Sequence, residues 1–286
     1  MHILITNDDG IQAPGLKALA QALLPLGKVS ILAPDRNWSA SGHVKTMERP
    51  LRVKEVSLIE GITCLATDGA PSDCVALAVL GILDDTKNKS VSSQQNPLHL
   101  NQNHRLEKSS SRKAHLAKID LVVSGINPNA NLGDDVTYSG TVTAAMEAAI
   151  WNIRGIAISL NSPPDFQGVL DYQTAARVAN RVVSQVIEHG LPNGTLLNVN
   201  VPYLPYENLK GWMITRQGLR VYRDQLVRRK DPRGRPYYWI GGQAPTGVPD
   251  EGTDIGALAE GYVSITPLHL DMTAYQAMDT LRDWGW

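Results

Sequence analysis

The stretch ILITNDDGIQAPGLKALAQALLPLGKVSILAP, residues 3–34, decides the fold. Ile3 to Thr6 is a short apolar run of strand type, closed by the turn residues Asn7-Asp8-Asp9-Gly10. Pro14 suits the first turn of a helix, where a missing N–H costs nothing. Leu16, Leu19, Ala20, Leu23 and Leu24 then recur at helical spacing, and Gly27 ends the unit. Val29 to Ala33 is a second apolar strand, closed by Pro34. Strand, helix and strand in so short a span predict a parallel pair joined by a right-handed crossover.

The same rhythm continues outward. Leu51 to Val56 and Thr63 to Thr67 are strand-like, and Asp73 to Leu83 is an apolar helix with Ser72 or Asp73 as its cap. Leu121 to Val123 is a buried strand ending in Ser124-Gly125, followed by a helix over Thr141 to Trp151. Ile156 to Leu160 is a strand, Tyr172 to His189 a strongly periodic helix, and Leu196 to Val201 a strand. This alternation predicts an α/β fold: a Rossmann-like three-layer α/β/α arrangement with a doubly wound, mostly parallel sheet. The last third differs. Trp212 to Arg216 and Tyr237 to Ile240 are strand-like and flank the basic run Leu226 to Arg235 with its Pro-Arg-Gly turn. Residues 219–240 are therefore expected to form an extended β-hairpin arm that packs on another subunit. Gly261 to Thr266 returns as a strand, and Tyr275 to Trp286 closes as a short helix.

Composition narrows the class. The chain has 286 residues, 43 % of them hydrophobic, which is enough for a large core and excludes general disorder. Its 27 Lys and Arg against 28 Asp and Glu give no global attraction to a nucleic acid polymer or to an anionic membrane. Cys64 and Cys74 cannot make a disulfide framework, and no run approaches a membrane helix or a signal peptide. A cytoplasmic protein is expected. One segment breaks the rhythm: residues 84–118 hold seven Lys and Arg, three Asp and Glu, six serines and few large apolar side chains. Such a composition cannot offset its ordering entropy, so a mobile polar insertion in a single domain is expected. His99, His104 and His115 lie in it, at spacings that argue only weakly for metal binding. Without it the remainder is net negative.

Three loops follow strands at their carboxyl ends, where open α/β sheets bind ligands. The first carries Asp8 and Asp9, two adjacent carboxylates that repel each other and favour a hard divalent cation. The second, Asp35 to His43, offers the hydroxyl of Ser39 or Ser41 as a ligand, with Arg36 and His43 as anion contacts. The third runs from Ser124 to Thr141. In it Asn127 supplies an amide oxygen, and Ser139-Gly140-Thr141 opens a helix whose free N–H groups suit a phosphate. Each loop is also a plausible turn or cap. If the three strands are neighbours, the loops converge on one rim, and a metal beside an anion cradle points to phosphate-ester hydrolysis.

At these residues the chain resembles the SurE family of divalent-metal-dependent nucleotidases. The matching motifs are ILITNDDGIQAPG (3–15), APDRNWSASGH (33–43), TDGAPSDCV (67–75), SGINPNANLGDDVTYSGTVTAAMEA (124–148), LPNGTLLNVNVP (191–202) and GTDIGALAEGYVSITPL (252–268). The resemblance implies one Mg²⁺ or Mn²⁺ ion per subunit, held by Asp8, Asp9, Ser39 and Asn127. It implies hydrolysis of nucleoside 5′- and 3′-monophosphates, in some members also of polyphosphate. It implies phosphate binding by Ser139, Gly140 and Thr141, with Asn131 as a neighbour and His43 as a lesser contact. It also implies a C-terminal hairpin exchanged in a homodimer or homotetramer. Residues 84–118 depart from the family pattern as some thirty extra residues, expected at the amino end of the next strand. Asp8 or Asp9 accepts a proton from the attacking water in this reading. Asp8 as a covalent nucleophile is the alternative chemistry, and a binding module without turnover is the alternative class.

Overall fold

The computed structural model describes residues 1–84, 118–164 and 166–286. The expected mobile insertion and its three histidines fall outside the described residues, apart from the flanking Asp84 and Lys118. The elements are β1 (His2–Thr6), α1 (Pro14–Leu23), β2 (Lys28–Pro34), β3 (Val53–Glu55), β4 (Thr63–Thr67), α2 (Pro71–Val79), β5 (Leu121–Asn127), α3 (Gly140–Ile150) and β6 (Arg154–Asn161). There follow α4 (Gln173–His189), β7 (Thr195–Pro202), β8 (Trp212–Ile214), β9 (Arg220–Lys230), β10 (Pro236–Gly247), α5 (Asp254–Ala259), β11 (Val263–His269) and α6 (Tyr275–Arg282).

Among the described residues, a nine-stranded sheet runs in the order β3-β4-β2-β1-β5-β6-β7-β11-β8. The strands from β4 to β7 are parallel, while β3 and β11 run antiparallel to their neighbours β4 and β7. Alternate residues of a strand point to opposite faces. Ile3 and Ile5 pack with Leu16, Leu19, Ala179 and Val182 of α1 and α4, whereas Leu4 packs with Cys74, Ala78, Ala144 and Ala148 of α2 and α3. Both faces are covered, which is why the central strands read as unbroken apolar runs. Gly155 of β6 shows how close α3 lies: a Cβ there would stand 2.3 Å from the Ala145 carbonyl oxygen.

Several expectations need correction. The helix expected from Asp73 begins at Pro71, with Ala70 as the residue before it. Asp73 does not cap by preceding the helix; from its third position its Oδ2 accepts the Ala70 N–H at 2.9 Å. Trp212–Ile214 is no part of the hairpin. It forms the parallel sheet edge on β11, and the arm is β9 paired with β10, from Arg220↔Gly247 to Lys230↔Pro236. The arm therefore extends beyond Ile240 to Gly247. The helix α5 was not foreseen; Thr253 caps it through Gly256 N–H at 3.0 Å. At the flank of the polar stretch, the Lys118 carbonyl lies 3.1 Å from Nδ1 of His2, at the amino end of β1.

Candidate active site

The chain leaves β1 in one direction through β2 and β4, and later in the other through β5, β6 and β7. The border of β1 and β5 is thus the topological switch point, where a crevice opens outside the strand ends. The turn after β1 is fixed from within. Buried Asn7 donates to the Gly10 carbonyl at 3.0 Å and accepts the Gly10 N–H at 3.2 Å. Gly10 holds a left-handed φ of +102°, and the Ile11 N–H donates to Pro34 at the end of β2 at 2.7 Å. This ties Asp8 and Asp9 to the rim.

Asp8 is 4 % exposed, and its Oδ1 accepts the Thr141 hydroxyl at 2.6 Å. Gly140 lies so close that an added Cβ would stand 2.7 Å from Asp8 Cβ. The N-terminus of α3 therefore faces the Asp8 carboxylate itself, and Ser139 caps that helix through the Val142 N–H at 3.1 Å. Burial raises the Asp8 pKa, against the pull of Thr141 and of the backbone N–H groups of Thr141 and Gly140. Asp9 rises to about 7, first through burial and then through the charge of Asp8. Its Oδ2 is buried and meets no hydrogen-bond partner among the described residues.

The second loop is tied to the first, because the Trp38 N–H donates to the Asp8 carbonyl at 2.7 Å. Ser39 is the next residue and is exposed. Ser41, the other hydroxyl considered, is buried at its Oγ without a partner among the described residues. Asn127 ends β5, and its amide nitrogen donates to the Asn129 carbonyl, so the oxygen is the end that can coordinate an ion. Arg36 is paired with its neighbour Asp35 at 2.8 Å. Among the described residues no three His, Cys, Asp or Glu side chains gather into a metal cluster. The candidate donor set is instead two carboxylates, a hydroxyl and an amide oxygen, all hard ligands.

Two of the residues expected near the substrate have partners within the protein. His43 Nε2 sits 3.0 Å from Oε2 of Glu147, two turns along α3. Asn131 is locked over β6 and β7: its side chain donates to Ser159 Oγ at 2.8 Å, its N–H to Asn200 Oδ1 at 2.8 Å, and its carbonyl accepts Asn198 at 2.8 Å. Other residues of the rim were missed. Asp73 holds the far end of the second loop through Thr46 N–H at 2.9 Å and Thr46 Oγ1 at 2.6 Å. Asp135 holds Arg220 Nε and Tyr222 OH, each at 2.7 Å, and Asp254 accepts Gly133 and Gly218 N–H, each at 2.8 Å. These tie the root of the hairpin to the third loop. A signal for Glu147 existed: it is the one charge in the buried helix GTVTAAMEAAI.

A profile of the family described as "Survival protein SurE" matches residues 3–98 and 105–224. The chain belongs to the SurE family. The family match runs into the polar stretch from both sides and passes over only residues 99–104, so the stretch is not wholly foreign to the family pattern. The 5′-nucleotidase SurE of Chloroflexus aggregans is 46 % identical over 286 residues, spanning 100 % of both chains. That of Herpetosiphon aurantiacus is 49 % identical over 96 % of this chain and 94 % of its own. The crystal structure of the SurE protein from Aquifex aeolicus superposes with a TM-score of 0.74 at 38 % identity, covering 99 % of each chain.

Proposed function

We propose that this SurE-family chain is a divalent-metal-dependent phosphomonoesterase that hydrolyses nucleoside 5′-monophosphates, and also 3′-monophosphates and short polyphosphate. The observation that carries this reading is the buried, unpartnered Oδ2 of Asp9 beside the buried Asp8. Two carboxylates so placed are costly without a cation, and the donor set suits one Mg²⁺ or Mn²⁺ ion. The names of relatives at 46 % and 49 % identity over nearly the whole chain support the nucleotide substrate.

Asp8, Asp9, Ser39 and Asn127 hold the metal in this reading. When bound, such an ion polarises a phosphoryl oxygen and lowers the pKa of a water. Thr141 steadies Asp8. The Gly140 and Thr141 N–H groups act on Asp8 in this structure, so the expected phosphate contact of Ser139, Gly140 and Thr141 is through the positive field of the α3 N-terminus. Asn131 shapes the neighbouring loop, and His43 approaches from the second loop. Asp8 or Asp9 accepts the proton of the attacking water. Asp8 is fastened by Thr141 and serves as a holder rather than a nucleophile.

The protein acts in the cytoplasm as a single domain and assembles as a homodimer or homotetramer through its hairpin, with no membrane and no nucleic acid polymer as partner. No helix among the described residues is long and apolar enough to cross a membrane. A panel of nucleoside monophosphates with and without Mg²⁺ or Mn²⁺ tests the activity. Phosphate release only with metal is expected; its absence from folded, metal-loaded protein would leave a binding module. Rapid quench with ¹⁸O-water checks the chemistry: ¹⁸O is expected in free phosphate with no labelled enzyme.

A further inference from the structure

The loop that carries Ser39 needs holding from outside. Ala40, next to Ser39, has a left-handed φ of +56°, which a residue with a Cβ adopts only when its surroundings insist. Much of that holding comes from one face of α3. Thr143, Glu147 and Trp151 stand one turn apart on it. Thr143 Oγ1 donates to the Gly42 carbonyl at 3.2 Å. His43 Nε2 and Lys45 Nζ reach Glu147 at 3.0 and 3.2 Å, and Trp151 Nε1 supplies a third donor at 2.9 Å. The Glu147 side chain is 2 % exposed while His43 and Lys45 are 30 % and 48 % exposed.

A carboxylate buried in an alanine-rich helix is costly, and an apolar side chain would fill the place without that cost. Two of its three donors come from the loop of Ser39. The other side of that loop hangs on Asp8, through Trp38. The Asp8 backbone, from the turn after β1, and the Glu147 side chain, from α3, therefore hold the same loop from two sides.

We propose that Glu147 is a positioning residue for the metal site. By holding His43 and Lys45 it sets the loop so that the Ser39 hydroxyl meets the ion held by Asp8 and Asp9. This rests on Ser39 being a metal ligand, as proposed above, and the test separates the two.

Mn²⁺ titration of the full chain, followed by calorimetry or by the EPR signal of free Mn²⁺, reads the metal Kd without turnover. Glu147→Ala is expected to raise that Kd about 10- to 100-fold, the range for groups that orient metal ligands. Glu147→Gln, which keeps the shape, falls between it and the wild type. Lys45→Met removes an exposed end of the clamp and is expected to raise the Kd about two- to fivefold, as befits a half-exposed ion pair. In a Ser39→Ala background the Lys45→Met effect vanishes, because it travels through Ser39. A Kd within twofold of wild type in Glu147→Ala and Lys45→Met, with or without a lower Tm, overturns the proposal while leaving Ser39 a ligand. An unchanged Kd in Ser39→Ala overturns the ligand assignment and the proposal with it. Should Glu147→Ala not fold, Lys45→Met and its double variant decide.

Discussion

Asp9 couples the stability of the folded chain to pH. Its pKa of about 7 in the folded chain lies above the ordinary 3.8, because burial and Asp8 oppose its charge. The folded state therefore holds a proton that the unfolded chain releases. The resulting stability is complete below about pH 3.8 and is lost as pH rises through about 7. In metal-free protein at pH 8, Asp9→Asn removes the buried charge and is expected to raise Tm by a few degrees, at about 2–4 °C per kcal/mol. With Asp9 as the proposed metal ligand, the same substitution is expected to lower metal-dependent turnover by more than the roughly 10- to 100-fold that loss of an outer-shell partner costs. Melting curves in chelator and rates with Mn²⁺ check both. Gly140 makes a steric counterpart. A Cβ 2.7 Å from Asp8 Cβ forces the helix end or the carboxylate to move. Gly140→Ala is expected to cost about 1–3 kcal/mol of stability, the range for overpacking a core, and to weaken Mn²⁺ binding. Urea unfolding and metal titration read the two effects.

At the scale of elements, α3 organises the rim. Its N-terminus faces Asp8, its alanines let it lie against β6, and its Glu147 clamps the second loop. Burial alone would raise the Glu147 pKa, but donors from His43, Trp151 and Lys45 outweigh it and hold it at about 2. A depressed folded pKa contributes stability above the unfolded value near 4.5 and loses it as pH falls through about 2. Glu147→Gln is therefore expected to flatten the acid limb of the stability curve. The Tm difference between pH 6 and pH 3 should shrink relative to wild type. The hairpin root is the second junction. Asp135 meets Arg220 and Tyr222 there, within the loop that joins Asn127 to Ser139.

At the scale of the molecule, the two-stranded arm has no residue buried within this chain and exposes Leu226 (73 %), Trp239 (64 %) and Ile240 (84 %). Apolar side chains so placed on a projecting ribbon suit contact with another copy. Replacing residues 222–245 by a short Gly-Ser turn is expected to shift the protein to monomer in light scattering while the sheet core stays folded. Removal of metal is a separate matter: chelation is expected to abolish hydrolysis without changing the oligomeric state, and Mn²⁺ to restore it. A loss of assembly on chelation would contradict the proposed placement of the metal within one chain.

Short windows of sequence determined the layered sheet. The apolar run Ile3 to Thr6, the Pro14 helix start and the periodic 172–189 stretch each encode their element locally. The places of the proposed ligands were legible too, since Asp8-Asp9 and Asn127 stand at strand ends and Ser139-Gly140-Thr141 opens a helix. Tertiary structure alone decided their partners. Nothing near His43 in the chain points to Glu147, 104 residues away, nor near Asn131 to Asn200, 69 away. Likewise Trp212–Ile214 has strand character but chooses β11 over the hairpin only when the sheet edge is built. Propensity acts over a few residues; the pairing of buried charges and edge strands is set by packing between segments far apart in the chain.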